Sequence, residues 1–188
     1  NFLILAFLFF IGCTAGWVLD LFYRRFAPTN KSHKWINPGF LNGPYLPLYG
    51  FGLCIMFILS ECEGYLHISD TALSKTVTVL IMGAAMTLIE YIAGLIFIKG
   101  MHVKLWDYSK RWGNIDGIIC PLFSLFWTVL CALYLMFIHP GVRAALSWFA
   151  DNLAFSFVIG FFFGVFSIDV VCSFRIVSKI KAAAEEYH

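Results

Sequence analysis

Three acidic residues, Asp20, Glu90 and Asp169, interrupt stretches that are otherwise apolar. A charged side chain in a bilayer costs roughly 2.5–3.5 kcal/mol even on the lenient insertion scale, so it normally faces a bundle interior or a wet cavity and is paired. Asp107 lies in a loop on the side to which these three acids point. Four acids could therefore converge on one vestibule. There they could hydrogen-bond loop N–H groups and Trp or Tyr donors, holding the loops in place. They could instead bind a cationic solute or a metal ion, or relay protons, or serve as acid/base catalysts. Glu90 is the deepest of them and the strongest candidate for a ligand.

The loops that would surround these acids share a pattern. The first contains Gly39-x-x-Asn42-Gly43-x-x-x-Pro47-Leu48 and the second Gly113-x-x-Asp116-Gly117-x-x-x-Pro121-Leu122, all at one constant offset. Tyr49 then corresponds to Phe123. Asn/Asp-Gly followed by Pro is also ordinary punctuation between a loop and a helix. Read as homology, it predicts two parallel repeats, about 2–66 and 73–138, with a fifth helix at about 142–175 and a cytoplasmic tail at 176–188. Small transporters place their sites at such repeat interfaces. Trp106-Asp107-Tyr108-Ser109 joins an aromatic pair to an acid and a hydroxyl; it suits either a surface anchor with a tight turn or a gate over the vestibule. The expected solute-binding set is Asp20, Asn42, Tyr49, Glu90, Trp106, Asp107, Ser109 and Asn114.

The elements that must position these residues follow from hydropathy. Of 188 residues, 61% are hydrophobic and 13% charged, with 21 Phe and 6 Trp and a mean hydropathy of +0.82. A soluble domain of this size could not hide so much apolar surface, whereas lipid solvates the outside of a helix bundle. Apolar runs at about 2–23, 46–61, 73–98, 118–138 and 153–174 predict an all-α integral membrane protein of about five transmembrane helices. The first run lacks a basic lead and a small-residue cleavage site, and is expected to be a retained span. His139-Pro140-Gly141 should close the fourth span, with a short interfacial helix at 142–150 carrying Trp148. Asp151 or Asn152 could cap the fifth.

Charge sets the expected orientation. Eleven of the thirteen basic residues fall after the first, third and fifth spans, leaving only Lys75 and Arg143 for the other side. By the positive-inside rule the N-terminus is outside and the C-terminus cytoplasmic. The two long loops and the helix acids then share the cytoplasmic face. The net charge of +2 gives no reason to expect nucleic acid.

Other chemistries lack a constellation. The five His are dispersed, with no H-E-x-x-H, and no G-x-S-x-G elbow or dinucleotide fingerprint occurs. No catalytic residue and no metal site is assigned, and the sequence names no cofactor. The six Cys are scattered without a C-x-x-C pair; Cys62, among Ser60, Glu61 and Glu63, is the one expected to be exposed. Gly160 and Gly164 form a G-x-x-x-G face that could pack within the chain or make a homodimer.

Taken in order, several motifs resemble a known family. They are Gly16-Trp17-x-x-Asp20; the run from Asn37 through Gly39-Phe40-Leu41-Asn42-Gly43-Pro44 to Tyr49-Gly50; Glu90-x-x-x-Gly94; Leu105-Trp106-Asp107-Tyr108-Ser109; and Asn114-x-x-Gly117-x-Ile119-Cys120. The family is that of the small bacterial membrane proteins described as putative ABC-transporter type IV permeases. The resemblance covers about 15–127 and continues more weakly through the last helix. Asp20 departs from it, since Glu is expected there in most relatives. It implies a multi-pass protein of the inner (plasma) membrane concerned with transport, and carries over no catalytic residues. The chain has no phosphate-binding G-x-x-x-x-G-K-[ST] loop, so ATP-coupled transport would require a separate ATPase, and it lacks the Glu-Ala-Ala coupling loop of ordinary importer permeases. Three functions fit these residues. One is a transporter or substrate-binding membrane subunit with an acidic vestibule for a cation or small polar solute. Another is a partner subunit whose Gly/Pro loops dock a cytoplasmic ATPase or other protein. The third is an enzyme at the lipid interface, with Trp106, Trp112 and Arg111 holding an anionic headgroup.

Overall fold

A computed structural model of the chain describes residues 2–27, 30–150, 152 and 154–186. Among these the fold is all helical. Helix α1 is Phe2–Phe26, α2 Pro47–Glu61, α3 Thr71–Gly94, α4 Pro121–Leu133, α5 His139–Ala150 and α6 Ala154–Glu186. A one-turn 3₁₀ segment, Glu63–Leu66, follows α2, and π-helical turns extend α3 over Leu95–Gly100 and α4 over Tyr134–Ile138.

Local chemistry accounts for the boundaries. Pro47 and Pro121 stand at the first positions of α2 and α4, where a missing N–H costs nothing and the fixed φ suits a helix. Asp70 caps α3, accepting from Ala72 N at 2.8 Å and Leu73 N at 3.2 Å. The expected stop at His139-Pro140-Gly141 does not occur. The helix runs on from the π turn at Tyr134–Ile138 into α5. A proline ring collides with the carbonyl four residues back in a regular α-helix, and a π turn directly below Pro140 relieves that collision. The last helix also continues past 175, through most of the expected tail. The cap expected at Asp151 and the side chain of Trp148 lie outside the described residues.

Among the described residues, four segments are long and apolar enough to cross a bilayer: Phe2–Phe26, Thr71–Gly100, Pro121–Leu146 and Ser156–Arg175. Helix α2, at 15 residues, reaches about 22 Å at 1.5 Å per residue, short of a hydrocarbon core of about 30 Å. It is the fifth apolar helix, packed between α1 and α3. Leu80, Leu88, Leu125, Phe161 and Ile168 are all more than half exposed, the surface that lipid would cover.

The α1–α2 seam is the tightest. A Cβ on Gly12 would lie 2.7 Å from Tyr49 O and 2.9 Å from Gly50 Cα, so these backbones meet where side chains would hold them apart. One buried cluster joins Phe9, Cys13, Leu41, Tyr45 and Phe162; a second joins Met82, Met86, Trp127, Cys131 and Tyr134. Leu41 and Tyr45 belong to the loop after α1, so that loop is part of the core. Cys62 is exposed as expected, and so is Cys172.

Candidate functional site: two buttressed loops

The long connections, described over 30–46 and 101–120, lie at one end of the bundle. Their Gly and Pro content would leave them floppy unless something fixed them. The helix acids supply much of the fixing.

Asp169, on α6, receives the first loop. Its Oδ1 accepts from Asn42 N at 3.3 Å, Asn42 Nδ2 at 3.1 Å and Ser173 Oγ at 3.0 Å. Its Oδ2 accepts from Gly43 N at 2.8 Å and Tyr45 Oη at 2.6 Å. Two consecutive amide donors, a side-chain amide and a phenol therefore close on one carboxylate, the pattern by which anions are held in backbone concavities. Burial first, and then the bond to Asp169, push the Tyr45 phenol above the usual tyrosine range, so it remains a donor.

Asp20 pairs with Arg24 one turn further along α1, Oδ2 to Nε 3.5 Å. The same guanidinium donates through Nη2 to Pro38 O at 3.2 Å and Leu105 O at 3.0 Å. Arg24 thus ties the two loops to each other as well as to α1. Trp17 donates to Asn37 Oδ1 at 2.9 Å, and that oxygen also takes Gly39 N at 3.2 Å.

Glu90 is buried on α3. Tyr108 Oη donates to its Oε1 at 3.0 Å and Trp127 Nε1 to its Oε2 at 3.1 Å. Tyr108 comes from the second loop and stacks on Phe123 of α4, with centroids 4.3 Å apart and planes 9° from parallel. Burial, followed by the nearby Glu90 charge, raises the Tyr108 phenol above its ordinary value. Tyr49 completes this layer. Its ring packs on Trp127 with centroids 5.3 Å apart, within the electrostatic reach of Asp20 and Glu90. Its hydroxyl makes no hydrogen bond among the described residues.

The second loop is stapled internally. Trp106 Nε1 donates to Ile118 O at 2.8 Å. Asp107 takes Ser109 N at 2.9 Å and Lys104 Nζ at 2.9 Å; bonding to Ser109 and then Lys104 holds its carboxyl well below the usual range. Asn114 Nδ2 donates to Ser109 O at 3.2 Å and Arg111 O at 2.8 Å, while its Oδ1 accepts from Gly117 N at 3.0 Å. Asp116 and Gly117 both adopt left-handed backbone, at φ 57° and 70°, which Asp tolerates and Gly adopts freely. Asp116 accepts from Tyr91 Oη at 3.0 Å and Lys99 Nζ at 2.7 Å; Lys99 first and Tyr91 next depress its carboxyl.

The eight residues expected to bind a solute therefore fall into separate groups. Asn42 is with Asp169. Tyr49 and Glu90 share the buried aromatic layer beside Asp20. Trp106, Asp107, Ser109 and Asn114 shape the second loop. Among the described residues, no three His, Cys, Asp or Glu side chains are grouped closely enough to hold a metal. Sequence reasoning missed Arg24, whose membership of the basic cluster after α1 gave no hint of its two carbonyl partners. It also missed Tyr45 and Trp127 as donors.

The family model described as putative ABC-transporter type IV matches residues 7–174 of this chain. Comparison with curated proteins and with solved structures found no match.

Proposed function

The chain belongs to the putative ABC-transporter type IV family, and from that premise we propose that it is the membrane-embedded subunit of a transport system, docking a cytoplasmic ATPase or other protein through its two long loops. One observation carries the reading: the helix carboxylates and Arg24 are engaged in fastening those loops, Asp169 alone accepting from four donors of the first. A surface fixed before association loses less conformational entropy on binding. At its edge Trp112 is 87% exposed, beside Lys110 and Arg111. Aromatic and Arg side chains of this kind are enriched where proteins bind one another. On this reading the loop face is cytoplasmic, as the distribution of basic residues favours, and the membrane is the inner (plasma) membrane.

A photo-cross-linking amino acid at position 112, in the full chain in its native membrane, tests this. It should capture a nucleotide-hydrolysing partner, and Asp169→Asn should reduce the yield. Failure to capture any protein with Asp169 intact would refute it.

A vestibule for a cation or small polar solute is the second reading, favoured by the unpartnered Tyr49 hydroxyl lying in the field of Asp20 and Glu90. It requires Tyr49→Phe to abolish thermal stabilisation by the transported solute. A homodimer through α6 also belongs to this proposal: a Cβ added at Gly160 or Gly164 would meet nothing within 4 Å, leaving that face open to a second copy. Disulfide trapping of Gly160→Cys in membranes would register it.

A further inference from the structure

The end of the bundle opposite the loops carries a second constellation. The end of α2, the 3₁₀ turn, the start of α3 and α5 line an open polar cavity of about 410 Å³, with Ser60, Glu61, Glu63, His67, Thr71 and Arg143 in its lining. That volume is at the lower end of those that hold small molecules.

Glu61 is held in place from behind. His139 Nε2 lies 3.2 Å from its Oε1, and Tyr134 Oη lies 3.3 Å from the other ring nitrogen of His139. Tyr134 is buried and the His139 side chain is 12% exposed, so this relay is fixed by packing. Arg143 Nε is also 3.2 Å from Oε1. The contacts of both partners thus fall on one oxygen, and Oε2 accepts no hydrogen bond among the described residues. Glu63 has none either. Arg143 approaches Glu61 through Nε, and its two terminal nitrogens donate no hydrogen bond among the described residues.

The lining therefore presents carboxylate oxygens and guanidinium nitrogens with spare hydrogen-bonding capacity around one space. A simple cation entering it would be opposed by Arg143, and a simple anion by Glu61 and Glu63. A molecule carrying both charges satisfies both. We propose that this cavity binds a zwitterion, seating its ammonium group on Glu61 and Glu63 and its anionic group on Arg143. The chemistry is shared by small soluble amines bearing a phosphate or carboxylate and by the headgroup of an aminophospholipid.

The full chain in nanodiscs of phosphatidylglycerol, titrated calorimetrically with O-phosphoethanolamine, provides the test. Saturable binding is expected, at least about tenfold tighter than for ethanolamine or inorganic phosphate alone, a difference of about 1.4 kcal/mol. Glu63→Gln and Arg143→Gln should each weaken it by about tenfold. Both side chains lie on the cavity lining and Arg143 is 65% exposed, so neither substitution should unfold the bundle, which a circular dichroism melt checks. Nanodiscs containing phosphatidylethanolamine separate the two sources: loss of phosphoethanolamine binding identifies the lipid headgroup, and unchanged binding identifies a soluble zwitterion. Absence of saturable phosphoethanolamine binding in phosphatidylglycerol discs would overturn the proposal, and so would equal affinity for the singly charged probes or for both variants.

Discussion

Replacing Asp169 by Asn removes a charge and one acceptor oxygen while keeping the shape of the side chain. Five donor contacts converge on the carboxylate. If the remaining carbonyl keeps Gly43 N and Tyr45 Oη, the new amide group faces Asn42 N and Nδ2, both donors, and those two bonds are lost. Hydrogen bonds to a charged acceptor contribute roughly 1.5–3 kcal/mol each. Asp169 is only half-buried, so screening reduces the pair to about 2 kcal/mol. That corresponds to about a thirtyfold increase in local opening of the loop, and to a melting shift of about 4–8 °C for a chain of this length. Hydrogen exchange in detergent or nanodiscs reads it directly at the amides of Asn42 and Gly43. Ser173→Ala, which removes one neutral donor to Asp169 and a 3.3 Å acceptor of Asn42 Nδ2, should change the same amides by only a few-fold. If Asp169→Asn leaves their exchange within threefold of the parent, the carboxylate is not what holds the loop.

Gly16 lies under the Tyr49 ring, where an added Cβ would collide with it. Gly16→Ala should cost about 1–3 kcal/mol by overpacking, seen as a lowered melting temperature that Tyr49→Ala partly restores. Glu90→Gln leaves one acceptor oxygen, which Trp127 Nε1 requires because an indole can only donate, while Tyr108 Oη can turn to accept from the new amide; Trp127 emission should stay close to the parent's, and loss of the charge-assisted bond should speed exchange at Tyr108 by a few-fold. Asp107 and Asp116 have depressed carboxyl pKa values, so what they contribute is present above the ordinary Asp range and is lost as pH falls through their lower folded values. Exchange at 105–117, corrected for its intrinsic pH dependence, should stay flat from pH 7 to 5 and rise only below about 4. A rise already complete by pH 5 would contradict the Lys104 and Lys99 pairings.

Periodicity made the apolar helices legible, and the runs expected from about 46 and 118 begin as helices at Pro47 and Pro121, one and three residues later. The continuation through Pro140 was not legible, because a π turn has no local sequence rule comparable to a cap. The acids were visible as anomalies, but their partners were not. Asp169 meets Asn42 at a separation of 127 residues and Arg24 meets Leu105 at 81, distances that only helix packing closes. For the same reason, Glu61, His139 and Arg143 read as ordinary residues at span ends. Their convergence depends on α2 and α5 meeting across the bundle. The two loops, alike in sequence, also differ in backbone. Asp116-Gly117 is left-handed, while Asn42-Gly43 instead offers its amides to Asp169. A shared motif therefore carried helix-start information further than loop conformation. Superposing the two halves, α1–α2 on α3–α4, remains the test of the proposed parallel repeat.

The two ends of the bundle use carboxylates differently, and that difference bears on where recognition takes place. A ligand that displaces a donor from Asp169 or Glu90 leaves a tyrosine, a tryptophan or a pair of backbone amides unpaired, at a cost of about 1–3 kcal/mol for each buried group. Such a ligand must make that good before it gains any affinity. Glu61 imposes no such cost through Oε2, because both of its partners occupy the other oxygen. The number of acids at an end therefore does not set its readiness to bind. At the loop end, one group among the described residues that retains free hydrogen-bonding capacity is Tyr49, whose hydroxyl can donate to a solute or accept from one without disturbing an existing bond. A solute path crossing this chain would thus run past Tyr49 and leave Glu90, already engaged by Tyr108 and Trp127, undisturbed.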